Sequence, residues 1–343
     1  MEKTRTKKLF IFFNPAAGHE KKVDLFENRI REWGKNNGWR IDIHRTHKNE
    51  DLKKALRQRQ KDGIDVIGVA GGDGTVSEVI SAMAGIDLPL LIIPAGTGNI
   101  FARNFYIPFN LEKCLSLLNE GSEVGFVDLM LVNGSYRMLN AGAGFNARLM
   151  ISTTRDEKQK LGFLAYLKNI GKSLKRTHQV EFVLTIDGKE ERIVGADVFI
   201  PNAGFGMHSW IEENLLNPND GVISVFVTRP SDVQSFFRIL WDAIKGKSRG
   251  VEVISRFEFK DELLVESDRP LPAQSDGEPI GTTPLRIKVV PSSLKLIIPV
   301  RESPLAGFES INKYFSRILN LPILEEQTSL KIPKRIFSDQ NRK

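Results

Sequence analysis

The chain has 343 residues, of which 41% are apolar and 27% charged, a composition that supports packed cores and excludes a disordered or fibrous protein. Its 49 Lys and Arg exceed its 42 Asp and Glu, giving a net charge of +7, which suits an anionic partner. No helix-turn-helix, zinc-finger or RNA-binding aromatic motif accompanies that charge, so we expect no nucleic acid as a partner. The single cysteine excludes an internal disulfide and a cysteine-cluster metal site.

The first third of the chain alternates between strand-like and helix-like segments. Apolar runs at 9–13, 41–43, 66–69 and 90–93 are separated by helix-like stretches at 20–36 and 51–60, and a further one follows at 111–119. Alternation of this kind predicts an α/β domain with a parallel, Rossmann-like sheet and crossover helices. Ligands bind such sheets at the carboxyl ends of the strands.

Three loops follow these predicted strands directly, at 14–18, 71–75 and 94–99. The middle one reads Gly71-Gly72-Asp73-Gly74-Thr75 and precedes a helix that we expect to begin near Thr75. Glycines let backbone N–H groups approach a charged ligand, and a helix start adds a positive dipole end. The spacing fits neither a Walker A loop nor a Rossmann fingerprint, so the run predicts a nucleotide phosphate site of another kind.

The second half of the chain is rich in strand-like segments, which predict a mainly antiparallel β-sandwich interrupted by helices near 161–174 and 233–244. Asn133-Gly134 and Asp187-Gly188 are dipeptides typical of tight hairpins. The expected strands lie at 124–132, 136–140, 180–186, 193–200, 222–227, 251–259, 285–290 and 294–300. We therefore expect a nucleotide-binding domain at 1–122 and 304–330, a β-sandwich substrate domain at 123–303 and a basic tail at 331–343.

Two acidic turns in this half could supply catalytic or metal-binding oxygens. Asp276-Gly277-Glu278 pairs two carboxylates around a glycine, and the segment 217–222 offers the hard oxygen ligands that Mg²⁺ takes. Either sequence is also an ordinary turn.

The order of these motifs resembles the diacylglycerol kinase catalytic-domain family, which includes sphingosine and ceramide kinases. The similarity extends over residues 9–300, through the glycine run, the Gly96-Thr97-x-Asn99 loop and the Asp276-Gly277-Glu278 turn. The resemblance implies an ATP- and Mg²⁺-dependent lipid kinase that phosphorylates diacylglycerol or a related glycerolipid or sphingolipid.

The resemblance also implies roles for individual residues. Asp73 would lie beside the phosphates and the catalytic Mg²⁺, and Asp276 is the favoured base, with Glu278 as the competing assignment. A structural Mg²⁺ would be held by Asn217, Asp220 and the carbonyl of Val222. The residues expected around ATP are Asn14, Pro15, Ala16, Ala17, Gly18, Thr46, Gly71, Gly72, Asp73, Gly74, Thr75, Thr97 and Asn99.

Two other functions remain open at this point, a soluble NAD kinase-like enzyme and a catalytically silent lipid or nucleotide sensor. A lipid kinase must meet a bilayer, and the segment 158–176 combines six cations with leucines at helical spacing, as in helices that lie on anionic membranes. The same helix could instead pack its leucines on the sandwich. We expect a cytoplasmic protein bound peripherally to the inner face of the membrane, and the sequence leaves open whether it forms a homodimer.

Overall fold

The structure is a computed structural model that describes residues 5–17, 23–47, 50–96, 98–145, 147, 179–202, 218–228 and 254–300. The helices predicted near 161–174 and 233–244, the basic segment 158–176 and the tail from residue 304 lie outside these residues. Within the described ranges, no helix combines the length and the apolarity needed to cross a bilayer.

The N-terminal part is the predicted α/β domain. Its strands β1 to β4 form a parallel array in the order β2-β1-β3-β4. The apolar runs of β1, β3 and β4 are buried, as is typical of parallel strands. A short 3-10 helix, Pro15–Ala17, follows β1. The elements are β1 Lys7–Phe13, α1 Val23–Asn36, β2 Trp39–Arg45, α2 Leu52–Gln60, β3 Val66–Gly71, α3 Asp73–Met83, β4 Pro89–Pro94, α4 Ile100–Asn104 and α5 Leu111–Ser116.

The C-terminal part is antiparallel, as predicted. Its elements are β5 Ser122–Val132, β6 Ser135–Arg137, β7 Asn140–Gly144, β8 Val180–Ile186, β9 Lys189–Gly195, β10 Asp197–Pro201, β11 Ile223–Thr228, β12 Ile254–Phe259, β13 Glu262–Ser267, β14 Pro272–Ser275, β15 Glu278–Thr282 and β16 Leu285–Pro299. Six of them form a separate sheet in the order β12-β11-β10-β7-β14-β15. Side chains of this sheet, such as Val198 and Phe259, share one core with Phe182 and Leu263 of the other sheet, which gives the sandwich.

The two halves share one sheet through β16. Its first part pairs with β13, whereas Lys295 and Leu296 pair with β4 of the parallel array, so that ten strands form one sheet. We predicted two strands here, and the structure shows one strand with an irregularity between Val290 and Leu294. Pro291 cannot donate to a ladder and Ser292 has a φ of 46°, so the interruption is a bulge and not a turn.

Other strand predictions need correction as well. The expected strands at 136–140 and 193–200 are each divided into two strands, at residues 138–139 and at Ala196 respectively. Strands β13, β14 and β15 were not expected. In β14 and β15 the residues Pro272, Pro279 and Gly281 weaken the local strand signal. Both predicted hairpin turns are confirmed, because Asn133-Gly134 and Asp187-Gly188 have positive φ at both positions. The domain boundaries stay predictions.

Candidate active site

The three loops that follow β1, β3 and β4 meet at one edge of the parallel sheet, and we call them loop 1 (14–18), loop 2 (71–75) and loop 3 (94–99). Loop 1 is bound to the end of β3 by a hydrogen bond from the Asn14 backbone N–H to the Ala70 carbonyl at 3.0 Å, and to loop 2 by one from the Asn14 side-chain amide to the Thr75 hydroxyl at 2.8 Å. Thr46, at the end of β2, donates its backbone N–H to the Phe13 carbonyl at 2.8 Å. The sequence-predicted residues of loops 1 and 2 and Thr46 therefore lie together.

Loops 2 and 3 are in direct backbone contact. A Cβ added to Gly96 would lie 2.4 Å from the Cα of Gly72, which leaves no room for a side chain. Asn99, in the left-handed conformation with a φ of 49°, closes loop 3 by exchanging two 2.8 Å hydrogen bonds with the backbone of Gly96. Gly18 and Thr97, also expected at this site, lie outside the described residues.

Helix α3 begins at loop 2 with an open N-terminus. Its N-cap is Gly72, and no side chain among the described residues bonds to the first-turn N–H groups. In contrast, Asp51 and Asn110 cap helices α2 and α5 with their side chains. The helix starts at Asp73, two residues earlier than predicted. Free N–H groups at the positive end of a helix dipole form a binding site for an anion such as a phosphate.

Asp73 is directed at loop 3 and helix α4. Its Oδ1 accepts the Phe101 backbone N–H at 3.2 Å, and a Cβ on Gly98 would lie 2.8 Å from its Oδ2. Burial raises the pKa of the Asp73 carboxyl, against the lowering effect of backbone hydrogen bonds from Phe101, Ile100 and Asn99. The carboxylate of Asp73 therefore stabilises loop 3 and the start of α4. Its contact with a metal or a phosphate stays a prediction.

Asp276 lies in the turn between β14 and β15 and is only 8% exposed. Asp276 and Gly277 have φ of 49° and 82°, the two left-handed positions of a tight hairpin turn. Its carboxylate accepts the backbone N–H groups of Met138 at 3.1 Å, Leu139 at 2.9 Å and Asn140 at 3.0 Å, and the Ser77 hydroxyl at 3.1 Å.

The four bonds to Asp276 occupy most of the acceptor capacity of a carboxylate. Burial raises the pKa of this carboxyl, while the backbone hydrogen bonds act to lower it. These hydrogen bonds hold residues 138–140 against the turn, so the Asp276 carboxylate has a structural role.

Glu278, two residues later, has a different environment. Its side chain is 43% exposed, and its Oε2 lies 3.4 Å from the Nη1 of Arg137. Its Oε1 faces the glycine loop, since a Cβ on Gly74 would lie 3.2 Å from it. Glu278 therefore presents a carboxylate of the C-terminal part to the open start of α3.

Three residues of this site were missed by sequence reasoning, namely Ser77, Glu78 and Arg137. The pKa of Glu78 is raised by burial and then by the negative charge of Glu278, while Arg137 lowers it. Glu78 follows the glycine run by one helical turn, a spacing that could have marked it. Arg137 carries no comparable local signal.

The second acidic turn is held by a buried carboxylate that we did not predict. Asp128, 1% exposed, accepts the backbone N–H groups of Gly221 at 2.8 Å and Ser292 at 2.7 Å. Asp220 accepts the Val222 N–H at 2.9 Å. Burial raises the pKa of Asp128, and the negative charge of Asp220 raises it further.

Two nearby carboxylates and backbone carbonyls are donors that fit Mg²⁺. Asn217 lies outside the described residues, and among the residues that are described no group of three or more His, Cys, Asp or Glu could hold a metal. The metal assignment to Asn217, Asp220 and Val222 stays a prediction.

Comparison with known proteins identifies domains that are similar to both parts of the chain. A family model described as "Diacylglycerol kinase catalytic domain" matches residues 8–131, and one described as "YegS C-terminal NAD kinase beta sandwich-like domain" matches residues 140–298. "Probable lipid kinase YegS-like" from Alcanivorax borkumensis is 27% identical over 299 residues, which cover 84% of this chain and 97% of that protein. "Uncharacterized protein sll0036" from Synechocystis is 27% identical over 313 residues, covering 87% of this chain and 72% of that protein.

Solved structures show the same fold. The crystal structure of a "putative diacylglycerol kinase" from Bacillus anthracis matches with a TM-score of 0.72 at 24% identity, covering 89% of this chain and 99% of that one. Residues 8–131 of the chain therefore match the diacylglycerol kinase catalytic domain and residues 140–298 match the YegS C-terminal domain, in that order.

Proposed function

We propose that this protein is an ATP-dependent kinase that transfers the γ-phosphoryl group to the hydroxyl of a membrane lipid, either diacylglycerol or a related glycerolipid or sphingolipid. The observation that carries the proposal is the position of Glu278, whose half-exposed carboxylate faces Gly74 at the uncapped start of α3. A phosphate-binding helix start beside a solvent-accessible carboxylate suits phosphoryl transfer to a hydroxyl, because the carboxylate can take the proton of the acceptor.

The N-terminal loops bind ATP in this proposal. First-turn N–H groups of α3 donate to phosphate oxygens, and the dipole of the helix favours their negative charge. The contact between Gly72 and Gly96 holds two loops close enough to bind the same triphosphate. Asn14 and Thr75, joined by their 2.8 Å hydrogen bond, fix the first loop against the second.

Glu278 acts as the general base. Its carboxylate takes the proton from the acceptor hydroxyl while that oxygen forms a bond to the γ-phosphorus, and the bond from the γ-phosphorus to the leaving oxygen breaks to release ADP. Asp276, the base favoured from the sequence, is less suited because its oxygens already accept four hydrogen bonds. We assign Asp276 the task of holding the turn that carries Glu278.

Mg²⁺ fits the same site by the chemistry of its donors. Glu78 is a carboxylate close enough to this site for the charge of Glu278 to raise its pKa, and oxygen ligands with negative charge are those that Mg²⁺ prefers. Glu78 would therefore hold the ion, and Glu278 stays available as the base. Bound there with ATP, the ion would neutralise charge on the β- and γ-phosphates. At the other acidic turn, Asp220 and the Val222 carbonyl would hold a structural ion.

The acceptor is best identified by a transfer assay. The full chain is incubated with γ-labelled ATP and Mg²⁺ over vesicles that contain diacylglycerol, monoacylglycerol, ceramide or sphingosine, with NAD⁺ as a further arm. We expect label in one of the lipids and its loss in Glu278→Gln.

NAD⁺ is the second candidate acceptor, because the C-terminal part matches a domain described as "NAD kinase beta sandwich-like". Label only in NADP⁺ would overturn the lipid proposal. The absence of label in every arm would favour a silent sensor.

The lipid acceptor places the protein at the cytoplasmic face of a membrane, where ATP is available. The proposed membrane contact is the segment 158–176, which contains six cations and no acidic residue. Each cation near an anionic surface contributes about 1 kcal/mol to binding. Co-sedimentation with phosphatidylglycerol vesicles that weakens with added salt supports this contact, and equal binding to neutral vesicles contradicts it.

A further inference from the structure

Arg137 connects the base to the phosphate-binding helix. It ends β6, and its side chain is 15% exposed. Its Nη1 donates to the Ser77 hydroxyl oxygen at 3.0 Å and lies 3.4 Å from Oε2 of Glu278. One guanidinium thus contacts α3, which starts at the glycine loop, and β15, which carries the proposed base.

The position of Arg137 follows from the buried carboxylate of Asp276. That carboxylate binds the backbone N–H groups of Met138, Leu139 and Asn140, the residues that follow Arg137. On its other side, Arg137 pairs in the sheet with Met130. Because Asp276 also stands two residues before Glu278, one carboxylate fixes the location of both members of the ion pair.

Stability does not account for this arrangement. Glu278 is 43% exposed and the pair is long at 3.4 Å, so solvent screens much of the attraction. The Nε of Arg137 is buried and has no hydrogen-bond partner among the described residues, which is an unfavourable state for a donor. Buried groups with incomplete hydrogen bonding are rare in native proteins and need an explanation beyond packing.

We propose that Arg137 is a positioning residue that, anchored on Ser77, holds the carboxylate of Glu278 against the glycine loop. The inference rests on the proposed function, in which Glu278 takes the proton of the acceptor hydroxyl. The positive charge of Arg137, 3.4 Å from Oε2 of Glu278, attracts that carboxylate and holds it in place. It also limits the side-chain rotations of Glu278, and a reacting group that is displaced by a fraction of an ångström loses rate steeply.

The test compares Arg137→Met, Arg137→Lys, Glu278→Gln and the double variant Arg137→Met/Glu278→Gln in the transfer assay, with the lipid that accepts label. We expect Arg137→Met to lower kcat by about 10- to 100-fold while the KM for ATP changes by less than about 3-fold. Arg137→Lys should recover part of the loss, since an ammonium can contact Ser77 and Glu278. The double variant should be no slower than Glu278→Gln alone, because Arg137 acts through Glu278.

Arg256→Met is the matched control. Arg256 also contacts a serine and a glutamate, Ser224 and Glu258, but it lies on β12 in the other sheet of the sandwich. We expect wild-type kcat from it. If Arg137→Met does not fold, as judged by its melting curve, Ser77→Ala carries the test, because it removes the anchor and leaves both charges; a several-fold loss of kcat with an unchanged KM is expected.

The outcomes separate the two proposals. A slow Glu278→Gln together with wild-type kcat in Arg137→Met, or in Ser77→Ala if that variant carries the test, would overturn the positioning role alone. A double variant much slower than Glu278→Gln would indicate that Arg137 contacts the phosphates of ATP directly, and it would overturn the proposal that Arg137 acts through Glu278. Wild-type kcat in Glu278→Gln would reject the proposed base and this inference with it.

Discussion

Ser77 and Asp276 are 199 positions apart in the chain and are joined by a 3.1 Å hydrogen bond from the Ser77 hydroxyl to the Asp276 carboxylate. Ser77 belongs to α3, the helix that starts at the glycine loop, and Asp276 to the turn that leads into β15. This bond between two buried residues couples the proposed phosphate site to the strand that bears Glu278.

The first prediction concerns the base. Glu278→Gln should lower kcat by about 10²- to 10⁴-fold, since an amide cannot take the proton of the acceptor hydroxyl. The unfolding free energy should change by less than about 0.5 kcal/mol, as for most exposed positions. Transfer of label from ATP and urea unfolding of the same sample measure the two quantities. A variant that is slow because it is unstable would contradict the assignment.

The second prediction separates Asp276 from Glu278. In Asp276→Asn one acceptor oxygen becomes an NH₂ group that faces the N–H donors of residues 138–140, so we expect a loss of about 1–3 kcal/mol or more in unfolding free energy. Urea denaturation measures it, with Glu278→Gln as the control that keeps its stability. An Asp276→Asn variant with wild-type stability and a rate lowered by orders of magnitude would restore Asp276 as the base.

The third prediction tests the contact between loops 2 and 3. Gly96→Ala would place its Cβ 2.4 Å from the Cα of Gly72, and because both atoms belong to backbone, the loops must separate. We expect a loss of stability of about 1–3 kcal/mol, as for other overpacked sites, together with weaker binding of ATP.

Gly72→Ala is the matched control for stability, since its nearest contact would be an ordinary 3.6 Å. Thermal melting and titration with a fluorescent ATP analogue measure both effects. Equal melting temperatures for the two alanine variants would argue against the close approach of the loops.

The fourth prediction concerns pH and the single cysteine. Cys114 is fully buried, its thiol donates to the Ile92 carbonyl at 3.3 Å, and burial raises its pKa from 9.0 to about 12. The folded state therefore holds this proton more tightly than the unfolded state does. The resulting contribution to stability is complete below pH 9 and is lost as pH rises towards 12, by about 1.4 kcal/mol for each unit.

Urea unfolding at pH 8 and pH 10 measures this effect. Between these values the wild type should lose about 1.4 kcal/mol more than Cys114→Ala, because the variant lacks the titrating thiol. Parallel losses in the two proteins would show that the thiol is not buried as described. Native Cys114 should also resist thiol reagents at pH 8, as expected for a buried structural cysteine.

Local patterns predicted most of the N-terminal domain. Apolar runs such as 9–13 and 66–69 identified strands, and loops that follow parallel strands must meet at one edge whatever lies elsewhere. The hairpins at Asn133-Gly134 and Asp187-Gly188 were also predictable from local sequence, because few dipeptides adopt two consecutive left-handed conformations. The order of the motifs was enough to indicate the family.

The roles of the acidic residues could not be predicted in this way. Asp276 and Glu278 are equivalent in sequence, yet one is closed in by residues 138–140 and Ser77 while the other faces Gly74. Arg137 is a single cation at the end of a short strand, with nothing nearby in the chain to mark it. It was also not predictable that β16 is one continuous strand, because Pro291 and Ser292 resemble a turn in the sequence.

The amino-acid sequence by itself determined the family resemblance, the parallel sheet with three loops at one edge and the position of the tight turns, because these depend on backbone preferences and apolar periodicity over a few residues. Only the tertiary structure decided which carboxylate faces the glycine loop and which cation lies beside it. Those contacts join segments that are distant in the chain, because they form where helix α3 meets strand β6 and the turn that leads into β15.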